Sequence, residues 1–93
     1  MTNDSKLTFT AVREGGRLNE VTGVQIMLQR GNEKWTSRLL KPIEFAELML
    51  SSHVFPPVEA DNLFSRVHEK GQITEEIALT EQQVQFLGLR RAA

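Results

Sequence analysis

The stretch Val21-Thr22-Gly23-Val24-Gln25-Ile26-Met27-Leu28-Gln29 decides the fold class. Val24, Ile26 and Leu28 fall on every second position with Gln25 and Gln29 between them, the period of a strand with one buried face. Met27 interrupts the polar face. Gly23 throws Val21 out of phase with Val24, which predicts a bulge or a close backbone approach at that point.

Toward the N-terminus, Leu7, Phe9 and Ala11 alternate with Thr8 and Thr10 in the same way and predict a partner strand. Between the two lies Glu14-Gly15-Gly16-Arg17, whose adjacent glycines accept positive φ and read as a hairpin turn. Toward the C-terminus, Arg30-Gly31-Asn32-Glu33 forms the next turn and residues 34–40 a third strand, with Trp35, Ser37 and Leu39 facing away from Lys34, Thr36 and Arg38. Three strands joined by short turns make an antiparallel meander.

Helical signals follow. Pro42 suits a first helical position, and Glu44 stands in the first turn, where the helix dipole favours an anion. A helix over residues 42–51 has Ile43, Phe45, Ala46, Leu48, Met49 and Leu50 nearly all round it, with a narrow acidic edge at Glu44 and Glu47, and is expected to be the best buried. His53-Val54-Phe55-Pro56-Pro57 stops it, because each proline drives the preceding residue out of the helical region. A second helix from Pro57 carries Ala60, Leu63, Phe64 and Val67 at the spacing of an amphipathic stripe, closed by Gly71. Ile73, Ile77 and Leu79 alternate as a short fourth strand, with Glu75 on an apolar phase. Thr80 and Gln83 have capping-box spacing ahead of Val84, Phe86 and Leu87, predicting a last helix over 81–89. Residues 1–93 are thus expected to form a single α+β domain of order βββααβα, its helices packed on one sheet face and residues 1–6 and 90–93 frayed.

Composition narrows the function classes. A chain of 93 residues with 40% apolar and 25% charged side chains supports one core. Absence of cysteine excludes disulfides and thiolate metal sites. The polar start Met1 to Lys6 lacks the apolar centre of a signal peptide, and no apolar run is long enough to span a bilayer, so the expected location is cytoplasmic. Net charge is −1, yet residues 1–41 hold seven Lys or Arg against four Asp or Glu, whereas residues 42–89 hold two against eight. Arg90 and Arg91 restore positive charge at the end. This dipolar layout argues for recognition of a partner.

Chemistry-bearing groups are sparse. His53 and His68 lie too far apart in sequence for the i, i+3 or i, i+4 spacing that puts two ligands on one helical face, and Gly15-Gly16 is followed by no helix that could cradle a phosphate. Glu75 and Glu76 are adjacent and point to opposite sides of a strand, so they form no acid–base pair. No catalytic residue, metal or cofactor is expected. The chain reads as a non-enzymatic protein-binding domain, a regulator, inhibitor or accessory subunit of bacterial or phage type.

Two surfaces are candidates. Val54 and Phe55 occupy a proline-stiffened connection that binds at low entropic cost, and Glu59, Asp61 and Glu69 of the second helix complement a basic partner or the strands of a second copy in a homodimer. Phe55 has a second reading as a cap on the core. The alternative function is nucleic-acid binding on a basic strand face of Arg13, Arg30, Lys34 and Arg38. Trp35 belongs to that face in one strand phase; its phase with Leu39 instead predicts packing against the helices.

Overall fold

The computed structural model describes residues 5–13 and 21–91. In chain order these form β1 (Ser5–Arg13), β2 (Val21–Arg30), β3 (Glu33–Thr36), α1 (Pro42–Ser52), α2 (Pro57–Lys70), β4 (Gln72–Ile77), α3 (Glu81–Phe86) and β5 (Arg90–Arg91). The strands build one antiparallel sheet in the order β4-β1-β2-β3-β5. The class is α+β as the alternation predicts, with one added strand. The proposed turn at Glu14-Gly15-Gly16-Arg17 lies outside the described residues, as do residues 1–4 and 92–93. Ser5 and Lys6, expected to fray, open β1 instead.

Period-two burial orients the sheet. Leu7 and Phe9 of β1, Val24, Ile26 and Leu28 of β2 and Ile73 of β4 all point to one side, where α1 and α2 cover them. Phe9 is the centre of this layer. Its ring meets Phe45 of α1 edge-on at 5.6 Å and leans on Phe55 at 6.1 Å, while Phe45 reaches Phe64 of α2 at 6.5 Å. Phe55 is only 9% exposed, so the interface-anchor reading gives way to the core-capping one: the prolines turn the chain inward across the junction of the helices. Val54 is half-buried against the same core.

Both consequences expected of Gly23 occur. The β1–β2 register shifts so that Arg13 opposes Val21 and Val12 opposes Gly23, leaving Thr22 as the extra bulge residue. A Cβ on Gly23 would sit 2.8 Å from the Leu39 side chain and 2.9 Å from the Leu40 carbonyl oxygen, so only glycine fits.

The third strand is shorter than its alternation suggests. Its ladder ends at Thr36, and the reciprocal backbone pairing with β2 resumes at Leu40, which exchanges bonds of 2.8 and 2.9 Å with Val24. Ser37 is the cause. Its N–H still reaches the Ile26 carbonyl, but its hydroxyl accepts the Ile26 N–H at 2.9 Å in place of a strand carbonyl, and residues 37–39 leave the regular ladder. Leu39 consequently covers Gly23 and stays 49% exposed. Trp35 does face the helices, half-buried against the core, with the Arg91 guanidinium 6.0 Å from its ring centre.

The first helix is not wrapped in protein. Phe45, Met49 and Ser52 are buried, but Ile43 is 68% and Leu50 43% exposed. A single sheet and one neighbouring helix contact only one side of α1, so its apolar residues exceed the area available to cover them. At the other edge, β4 pairs with β1, and the apolar phase of Glu75 is reconciled by Arg66 of α2, 2.8 Å away. The last helix ends at Phe86 rather than at residue 89. Gly88 takes φ +68° and turns the chain so that Arg90 and Arg91, expected to fray, pair with β3.

Candidate functional site

Where the ladder of β3 stops, a groove of about 660 Å3 opens between residues 36–40, α1 and the C-terminal segment. Three local choices build it. First, Pro42 starts α1 and Glu44 in its opening turn accepts the Lys41 N–H at 3.0 Å. Arg38, released from the strand by Ser37, then grips both Glu44 oxygens at 2.9 and 3.3 Å. The Arg38 guanidinium, seconded by the Lys41 N–H, lowers the Glu44 carboxyl to about 2 from its ordinary 4.5, and the same contact raises Arg38.

Second, Ser37 is buried at the base of the groove, where its hydroxyl also donates to the Arg38 carbonyl at 2.7 Å. Third, α3 is held by a capping box: Thr80 Oγ1 accepts the Gln83 N–H at 3.1 Å and Gln83 Oε1 accepts the Thr80 N–H at 3.0 Å. A further tie runs from Arg30, which donates to Glu81 at 2.8 Å, to the Leu79 carbonyl at 2.6 Å and to Ser5 Oγ at 2.9 Å. With α3 so fixed, Val84 and Leu87 pack into the core and Phe86, on the far side of the turn, is 53% exposed.

Phe86 and Leu48 form the apolar wall of the groove, the Arg38–Glu44 pair one rim and Arg90 another. A second depression of about 280 Å3 runs past Phe86 to Glu47 and Ser51 of α1. This arrangement suits binding of an apolar side chain flanked by charge. Among the described residues no group of three or more His, Asp or Glu side chains converges as a metal site would require. No described helix is long and apolar enough to cross a membrane.

Of the residues singled out from the sequence, Arg38 lines the groove and the others lie elsewhere. Glu59, Asp61 and Glu69 are exposed on α2, while Phe55 beside that helix is withdrawn into the core. The four cations of the strand face diverge: Arg13 donates to the His68 carbonyl at the end of α2, Arg30 turns to α3, Arg38 turns to α1, and Lys34 stands exposed opposite Gln29. The groove itself was hidden because Phe86 and Leu48 read as ordinary members of apolar stripes. One signal was present: Val84 and Leu87 already satisfy the i, i+3 spacing of a short helix, which leaves Phe86 off phase. No protein-family model, curated protein or solved structure matches the chain.

Proposed function

We propose that this domain acts by binding another protein, as a regulator, inhibitor or accessory subunit, and that the groove between α1 and α3 receives the partner. The observation carrying this reading is Phe86, an aromatic ring half in solvent at the wall of a groove whose other components are fixed by capping bonds and an ion pair. A preformed wall loses little freedom on binding, and exposed aromatics are the usual energetic anchors of interfaces. Arg90, which forms no ion pair among the described residues, stands on the rim, so the fitting partner is a peptide segment with an apolar or aromatic side chain beside a carboxylate.

A peptide display library panned against the whole chain tests this. Enriched sequences should carry an aromatic or aliphatic anchor next to Asp or Glu, and lose about tenfold or more in affinity on Phe86→Ala, as truncation of an interface anchor does. No enrichment, or binders indifferent to both Phe86→Ala and Arg90→Glu, rejects the groove.

A further inference from the structure

The two borders of the sheet are built differently. On one side the two-residue β5 leaves almost no edge. On the other, β4 runs in unbroken register from Gln72 opposite Thr10 to Ile77 opposite Ser5, without a proline, lysine or bulge to blunt it, and its one inward-facing charge, Glu75, is neutralised by Arg66 of the same copy. The phase of the β1–β4 ladder is given by Ala11 N–H on the Gly71 carbonyl at 2.8 Å. Alternation from that bond assigns the backbone groups of Ile73, Glu75 and Ile77 to β1 and turns those of Gln72, Thr74 and Glu76 outward. The Thr8 and Thr74 hydroxyls, 3.1 Å apart, mark the close-approach pair between two bonded ones.

We propose that the β4 edge joins a second copy of this chain, antiparallel, about a two-fold axis at Thr74. In this register Gln72 exchanges both backbone bonds with the partner's Glu76, Thr74 with the partner's Thr74, and Glu76 with the partner's Gln72, so every outward group of the strand is satisfied. The side chains agree. On the open face each Glu76 meets the partner's Gln72, and on the helix face each Glu75, already held by Arg66, meets the partner's Ile73. No like charges stand directly opposite one another. Moving the axis to Glu75 would set the two Glu75 side chains face to face, and moving it to Ile73 would forfeit one bonded pair, so charge and bonding select the same register. The helices of both copies then lie on one side of a continuous sheet, and each α1–α3 groove remains open at the far border.

Light scattering and sedimentation of the whole chain from micromolar to millimolar concentration provide the test. The wild type should form a dimer. Gln72→Glu, which places Glu against the partner's Glu76 twice, should weaken it about tenfold, and Gln72→Glu with Glu76→Gln should restore it by recreating the same opposition with the roles reversed. Thr74→Pro removes an outward N–H, leaves the β1 ladder bonded, and should give a folded monomer by circular dichroism. A wild type monomeric throughout overturns the proposal and leaves the edge to an extended segment of some other protein. A dimer insensitive to both Gln72→Glu and Thr74→Pro overturns it equally.

Discussion

The sheet has a regular half, β4-β1-β2, and an improvised half made of β3, residues 37–41, α3 and β5. In the regular half, the fully buried Phe9 and Ile26 lie opposite one another, and long antiparallel ladders join β4 to β1 and β1 to β2 backbone to backbone. In the improvised half the ladder runs out, and side chains complete the backbone bonding: Ser37 for Ile26, Glu44 for Lys41, Thr80 and Gln83 for each other, Arg30 for Leu79. The difference teaches how each half is held together. Continuous ladders over a buried apolar face hold one half, whereas in the other Leu40, Val84 and Leu87 reach the core, side-chain bonds complete the backbone, and a groove is left beside it.

This contrast can be broken at four points. The largest effect belongs to Phe9→Ala, which empties the junction of β1, α1 and the helix connection and should cost about 3–5 kcal/mol in denaturant unfolding; a loss below about 1 kcal/mol would mean the rings do not form the joint core described. Ser37→Ala should cost about 1–3 kcal/mol, because the buried Ile26 N–H loses its partner. An unchanged denaturation midpoint in that variant would show that the improvised half does not depend on its side-chain bonds. Thr80→Ala should cost about 1 kcal/mol, and the loss should appear as faster amide exchange at Gln83 with little change in β1.

The smallest effect is the pH response of the Arg38–Glu44 pair, exposed as it is. The folded Glu44 titrates near 2 and the unfolded near 4.5, so its contribution is fully present above pH 4.5 and is lost as the pH falls toward 2. Glu44→Gln should therefore flatten the stability profile within that interval and leave it unchanged in shape at neutral pH. An identical slope in both proteins would show that other carboxylates carry the acid response.

The regular half was legible because period-two alternation states both strand and face, and even the irregularity at Gly23 could be read from a single phase error. The improvised half resisted. Nothing local announces that Ser37 will replace a strand carbonyl, and once it does, every residue from 37 to 39 leaves the phase that alternation assigns. The surplus of apolar residues on α1 was visible, but coverage depends on how many layers surround the helix, which is a tertiary fact. Charge is partly spent within the fold. The basic first half and acidic second half of the chain suggested surfaces awaiting partners, yet Lys6–Glu76, Arg30–Glu81 and Arg38–Glu44 join one half to the other, so much of the asymmetry is neutralised within the fold.

Those cross-half pairs bear on how the chain would reassemble after being cut. Severed between Lys41 and Pro42, it yields a fragment with seven cations and four anions, net +3, and one with four cations and eight anions, net −4. The two pieces attract before they touch, so their association should be fast in dilute buffer and slow steeply as salt is added. A divided gene for this domain would thus supply a complementation pair whose association rate responds to ionic strength.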